Sequence, residues 1–258
     1  VFINGGVNFG VATVTIQNGG KLRINAGGFV NTNAPAYASG AILQYNSGGN
    51  YGRSLEWSAL SGKGYPFHVQ VSNGTSLDVG NATPAVARVI AGDLTIDAGS
   101  GFYLDFGVND MTSSVTVNGD LNLAGNLSLS SIIGGDLILL GDWNHTSGVF
   151  NPQNRAVFFQ GNVVDQVVLN PTTETFDYLI INKTAGKLIL STPVNVRQSI
   201  TLSNGLFDLN GNELTLGQVG TNGSLIGGNA SNYFISGASS AKFTRFTTTT
   251  DRKSTRLN

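Results

Sequence analysis

Three aspartates occur in one repeated phrase: Gly92-Asp93-Leu94, Gly119-Asp120-Leu121 and Gly135-Asp136-Leu137. Carboxylates repeated on neighbouring coils of a β-helix are the groups that bind calcium or act as acid and base on a polysaccharide. The shared phrase places all three at equivalent positions on one outer face. Their spacings, 27 and 16 residues, do not share a single coil length. Each precedes an inward-facing leucine, so the expected role is a solvated turn carboxylate. Other reactive patterns are missing. His68 and His145 stand far apart, with no His-Glu-x-x-His spacing for a metal. Gly223-Ser224 runs into Leu225 and makes no Gly-x-Ser-x-Gly elbow. Gly134-Gly135-Asp136 is a fragment of a calcium-binding nonapeptide without its repetition. With no cysteine there is no disulfide, thiolate metal site or cysteine nucleophile. No catalytic residue, metal ligand or cofactor is assigned from these patterns.

The best candidate for a ligand surface lies between residues 33 and 70. Tyr37, Tyr45, Tyr51, Trp57, Tyr65, Phe67 and His68 gather there among Gly and Ser. Exposed Tyr and Trp rings stack on sugar faces and anchor interfaces. Tyr51, Arg53, Trp57 and Tyr65 are therefore the ligand-binding candidates, with Trp57 and Tyr65 as anchors. The competing expectation is that these rings fill the base of a long loop and shield the flank of the fold. A second departure from the general pattern, 142–165, holds Trp143, His145, Phe150, Phe158 and Phe159.

The elements that must position these residues are strands. Among 258 residues there are 35 Gly and only three Glu, at positions 56, 174 and 213, and Lys is sparse. Strong helix formers are absent and glycine breaks most windows, so the chain reads as all-β. A net charge of −1 gives no basic footprint for nucleic acid. No apolar run approaches the roughly 18 residues of a membrane-spanning helix. Period-two alternation recurs in short runs, for example Lys21-Leu22-Arg23-Ile24, Asp93-Leu94-Thr95-Ile96, Asp120-Leu121-Asn122-Leu123 and Glu213-Leu214-Thr215-Leu216. Lys187 to Leu190 is the exception, with Ile189 on the polar side. Gly or Asn bounds most runs, as turns that need positive φ require. Short strands, small turns and a loose Gly-x-Leu-x-aliphatic phrase predict a parallel β-helix, or β-solenoid, over 1–250. Coils of roughly 20–25 residues make about ten to twelve of them. Each strand then pairs with its counterparts about 4.8 Å above and below, and turn asparagines bond the backbone of the next coil. A β-sandwich, with its strands joined as hairpins, is the alternative. Within the solenoid, 33–70 is expected as coils with long outward loops or a protruding hairpin.

Several phrases carry a family resemblance. Phe176-Asp177-Tyr178-Leu179-Ile180-Ile181-Asn182-Lys183, continuing through Gly186-Lys187-Leu188-Ile189-Leu190 to Val194-Asn195-Val196, is joined by Ile200 to Asp208 and Asn210 to Gly217. This passage resembles the β-solenoid repeat regions of large secreted surface proteins of Bacteroidota, cargo of the type IX system. Gly141-Asp142-Trp143-Asn144, Tyr45-Asn46-Ser47-Gly48-Gly49 with Glu56-Trp57, and Tyr233-Phe234-Ile235-Ser236-Gly237 are similar to other elements of those proteins. The resemblance covers most of residues 40–246. It implies an extracellular or cell-surface location and a structural or adhesive spacer without catalytic activity, with glycans or neighbouring surface modules as partners. A carbohydrate-binding or polysaccharide-processing β-helix is the alternative.

The ends are read separately. Val1 is no initiator and Phe2-Ile3 already reads as strand, so truncation is expected there. Asp251-Arg252-Lys253-Ser254-Thr255-Arg256-Leu257-Asn258 resembles a translated sequencing adapter and is set aside as a non-native tail. An excised solenoid leaves unpaired strand edges, which template association. Residues 1–250 expressed alone are expected to oligomerise or aggregate, and a monodisperse monomer in light scattering contradicts that.

Overall fold

The computed structural model describes residues 1–161 and 164–247; the proposed adapter-like tail, 251–258, lies outside them. The chain winds into a β-solenoid of about ten turns. Strands fall on three faces, visited in order along the chain, with the third-face strand replaced by a 3₁₀ turn in the coil 42–67. The first face stacks Lys21–Asn25, Ile42–Asn46, His68–Val71, Leu94–Ile96, Leu121–Leu123, Trp143–His145 and Gln166–Leu169. The second stacks Asn50–Gly52, Ser76–Asp78, Gly101–Tyr103, Asn126–Ser128 and Val149–Asn151. The third stacks Arg88–Ile90, Val115–Val117, Leu137–Leu139 and Ala156–Gly161. Later coils are more continuous. Glu174–Leu190 is a single 17-residue strand that bends around all three faces, and its register against Val194–Asp208 shifts at the corners, between Phe176 and Tyr178 and between Asn182 and Lys187.

Among the described residues the pairing is parallel, except for Gly217–Gln218 against Thr221–Asn222 and an isolated Asn229–Asn232 bridge. That excludes the hairpin-linked sandwich. The coil length is irregular, 21 residues from Arg23 to Gln44 and 27 from Thr95 to Asn122. Most three-residue strands bury their first and third side chains and leave the middle one half-exposed, as with Leu94 and Ile96, Leu121 and Leu123, and Val115 and Val117. These inward side chains form a single hydrophobic cluster from Ile3 to Leu216. Lys187 to Leu190 keeps the same phase: Leu188 and Leu190 are buried, and Ile189 stays at the half-exposed position.

Segment 33–70 is not a protruding hairpin. Ile42–Asn46 is a regular rung, and Tyr45 is stacked in register between Ile24 and Val71 and fully buried. The excursion is the stretch after Gly52, where a short 3₁₀ turn at Leu55–Trp57 tucks Trp57 inward. Turn asparagines bond the backbone of the neighbouring coil as expected, Asn81 Nδ2 donating to Arg53 O at 2.8 Å and Asn212 Nδ2 to Leu190 O at 2.9 Å. Near the start of the chain they also form a ladder between side-chain amides. Asn25 Nδ2 donates to Asn4 Oδ1 at 2.8 Å, and Asn46 Nδ2 donates to Asn25 Oδ1 at 3.0 Å.

The Gly-Asp phrase has a physical reason. At the corner entering the first face, Asp93 Oδ1 accepts the backbone N–H of Asp120 at 2.9 Å, and Asp120 Oδ1 accepts that of Asp142 at 2.8 Å. Asp142 Oδ1 continues the column to the N–H of Val167 at 2.8 Å. Each carboxylate therefore caps the next coil. It lies where a Cβ would stand on the glycine above, 2.2 Å away at Gly119 and 2.4 Å at Gly141. Asp136 does not belong to this column. It precedes a third-face strand and accepts the Ala156 N–H at 2.8 Å, so its shared phrase marks a different corner.

Replacing Gly119 with Ala is expected to cost about 1–3 kcal/mol through overpacking and loss of the cap. Gly49→Ala, where nothing lies within 4 Å and φ is ordinary, should be near neutral. Denaturant midpoints of the two variants check this; equal midpoints would mean that the Gly-Asp fit is not tight.

Candidate functional site

Tyr51, Arg53, Trp57 and Tyr65 do not form one open surface. Trp57 is fully buried, its indole Nε1 donates to Val89 O at 3.1 Å, and its ring centroid lies 6.2 Å from that of Phe102. Neither face of this indole is offered to a sugar. Tyr51 is half-buried and tilted against Tyr45, with centroids 5.4 Å apart. Arg53 is buried, and its guanidinium donates to four backbone carbonyls and one hydroxyl: Val79 O (3.0 Å), Ser54 O (3.0 Å), Trp57 O (2.8 Å), Asn81 O (2.7 Å) and Thr83 Oγ1 (2.6 Å). It ties the excursion after Gly52 to the loop of the next coil. Tyr65 is half-buried, and no hydrogen bond or ring contact among the described residues joins it to the other three.

The centre of this cluster is Glu56, which sequence reasoning did not single out. It is fully buried. Its Oε1 accepts the Ser54 N–H at 2.7 Å and the hydroxyls of Tyr45 at 3.3 Å and Tyr51 at 3.4 Å. Tyr37 donates to the Glu56 carbonyl at 2.9 Å, and Oε2 is buried without a partner. Burial pushes the carboxyl pKa up against the opposing backbone hydrogen bonds and Arg53. Burial, with Glu56 beside them, raises the Tyr37 and Tyr45 hydroxyls. These groups stay closed in the core, where they lock the excursion.

A second polar cluster lies deeper along the axis. His145 stacks in register on Leu123, so an imidazole occupies an aliphatic rung. Glu174 is likewise aligned with Val194. The two form a buried pair: His145 Nδ1 lies 2.7 Å from Glu174 Oε2, which also accepts Trp143 Nε1 at 2.8 Å. Phe150 and Phe176 pack edge-on or tilted around the indole at 4.8 and 5.1 Å. Burial works against the imidazolium, but the Glu174 carboxylate overcomes it and holds the His145 pKa above its usual value. Glutamate rarity was the usable signal for both clusters, because two of the three Glu residues prove to be almost completely buried.

Two cavities open on the corner between the second and third faces. One, of about 210 Å³, is bordered by the Arg53 excursion and the loop Asn81–Arg88. The other, of about 280 Å³, is a polar groove over four successive coils, lined by Asn151, Gln153, Asn154, Asp177, Arg197, Gln198 and Gln218. There Arg197 Nε donates to Asp177 Oδ1 at 2.6 Å, and Asp177 Oδ2 accepts the Asn154 N–H at 2.7 Å. The Asp93–Asp120–Asp142 column is spent on capping. Among the described residues no group of three or more His, Asp or Glu side chains is arranged to hold a metal ion. Compared with protein-family models, curated proteins and solved structures, the chain matches none.

The His145–Glu174 pair gives a pH-dependent contribution to stability. With the His145 pKa raised in the folded state, this contribution is complete below the unfolded value near 6.5 and is lost as pH rises through the folded pKa. Denaturant midpoints of wild type should fall across that window. His145→Leu alone strands the Glu174 carboxylate in the core and should cost about 3–5 kcal/mol, whereas the double change with Glu174→Val should cost less, about 1–3 kcal/mol for the Trp143 indole N–H left unpaired, and remove the pH slope. Equal losses in the single and double variants would contradict the pairing.

Proposed function

We propose that this chain is a non-catalytic structural and adhesive spacer of a secreted bacterial cell-surface protein. The observation that carries the reading is a continuous stack of about ten coils around one cluster of buried side chains. In such a stack each coil touches its neighbours alone, so the rod sets a fixed separation between whatever modules it joins. The polar residues inside it serve this architecture: Asp carboxylates cap backbone N–H groups, and Glu56 and Glu174 are enclosed by their own partners. The resemblance of 176–217 to surface-protein repeats supports the extracellular location.

A carbohydrate-binding reading draws on one specific feature, the groove along Asn151, Gln153, Asp177, Arg197 and Gln198. Amides and a charged pair in a shallow groove match the hydrogen-bonding capacity of sugar hydroxyls. Such binding is compatible with an adhesive spacer; turnover is not.

Incubation with plant, algal and host polysaccharides should release no new reducing ends or unsaturated products. In single-molecule pulling, the rod should extend in steps of one coil or small multiples, each coil contributing roughly 70–95 Å at about 3.3–3.6 Å per residue. Depolymerisation that disappears on Asp177→Asn, or extension in one cooperative event far larger than a few coils, would overturn the spacer reading.

A further inference from the structure

The 210 Å³ cavity is bordered by two cations and no acid. Arg53 and Arg88 line it together with Ser54, Ser58, Asn81 and Thr83, and no carboxylate appears in the lining. Both arginines are deeply buried, with 4% and 2% of their surface exposed. Neither lies within ion-pair distance of an Asp or Glu among the described residues. Glu56 and Asp78 act on Arg53 only from farther away, and Asp78 Oδ2 is already engaged by Asn109 Nδ2 at 2.7 Å.

The two guanidiniums differ in what they have left to offer. Arg53 uses five hydrogen bonds on the protein, so it contributes charge and a fixed frame. Arg88 bonds Thr83 alone, through Nη2 to the carbonyl and the hydroxyl. Its Nε is buried without a partner, and Nη1 makes no hydrogen bond among the described residues. Burial, and then the neighbouring charge of Arg53, lower the Arg88 pKa to about 10, which leaves it cationic at neutral pH. Two like charges held together out of water, one with unused donors, are costly unless an anion joins them. A guanidinium fork fits the oxygens of sulfate or phosphate in a bidentate manner.

We infer that this pocket is a binding site for a small oxyanion, a sulfate or phosphate group that is free or esterified to a sugar, seated on Arg88 and within the field of Arg53. The cavity is smaller than the roughly 300–1,000 Å³ of sites that enclose drug-sized molecules, so it takes the anionic group with little more than the ring carrying it. At the rim the Ser54 and Ser58 hydroxyls are spent on Val30 O and Leu55 O, and the Asn81 amide, which gives one N–H to Arg53 O, keeps a second to offer. The site is separate from the groove at Asp177 and Arg197, and the spacer reading stands whether or not the pocket is filled.

The test is calorimetric titration of the full chain at constant ionic strength with inorganic sulfate, inorganic phosphate and glucose 6-sulfate. Saturable one-to-one binding of at least one probe is expected. Arg88→Gln should weaken it at least about tenfold, the loss of a charge-assisted hydrogen bond. Val86→Trp, at an exposed lining position, should block the pocket while leaving both arginines and the fold in place. Tighter binding of glucose 6-sulfate than of free sulfate assigns the site to a sulfated glycan; equal or weaker binding assigns it to the free anion. No saturable binding of any probe, or undiminished binding in Val86→Trp, overturns the proposal even if Arg88→Gln fails to fold.

Discussion

The parallel ladder between coils is the constraint from which the rest of this structure follows. A rise of about 4.8 Å per coil leaves room for one layer of side chains inside and one hydrogen-bonded layer of backbone around it. Every residue is therefore placed by its register neighbours above and below. Leu22, Leu43, Val69, Leu94, Leu121 and Trp143 form one inward column through that pairing, although 21 to 27 residues of chain separate successive members. The corners have the harder task, since backbone groups there turn away from the regular ladder and must still be satisfied. Here the side chain of one coil reaches up to the backbone of the next. An aspartate with glycine above it is the compact solution, and His68 fills the same place beneath Gly92, its Nδ1 accepting the Asp93 N–H at 2.9 Å.

A narrow axial core also explains the unusual treatment of its polar members. A rung occupied by a charged or hydrogen-bonding side chain has partners only one rung away, so polar groups occur in short vertical clusters. His145, Trp143 and Glu174 make one such cluster. Lys183, which is 1% exposed, makes another with Gln166: Lys183 Nζ donates to Oε1 at 2.8 Å while Nε2 spans the carbonyls of Leu139 and Gly141. Burial lowers the Lys183 pKa against the pull of Asp165 and Asp142. Such clusters fix which coil sits on which, because sliding the stack by one turn would strand each charge against an aliphatic rung.

The repeated features were legible in the sequence, and the singular ones were not. Alternation in Leu94-Thr95-Ile96 and Leu121-Asn122-Leu123 reported both strand and facing, since one side of each strand meets the same apolar core. The phrase Gly-Asp-Leu reported a corner, but not which one: Asp93 and Asp120 share a column, whereas Asp136 caps the other turn, because both corners set the same local problem of satisfying an N–H one coil up. Aromatic clustering between 33 and 70 drew attention to the right segment, but it gave no facing. Tyr45 is a core rung and Trp57 a plug, distinguished by register and by the 3₁₀ turn, neither of which leaves a periodic trace. Arg88 gave no signal at all, since its relation to Arg53 exists only across two coils.

The distribution of loop length along the rod decides where cavities form. Strands are held in register on three faces, so variation in coil length has to collect at the corners. Between the second and third faces, nine residues separate Asp78 from Arg88 and eleven separate Tyr103 from Val115; four separate Asn151 from Ala156, and by Phe176 to Tyr178 a single residue turns the corner. Long corners early in the chain can fold over themselves and enclose a pocket, which is where Arg53 and Arg88 meet. Tight corners later cannot enclose anything, but they align their side chains from coil to coil, which is how Asn154, Asp177, Arg197 and Gln218 come to line one groove. Both cavities thus arise on the edge where the ladder leaves the chain freest to vary.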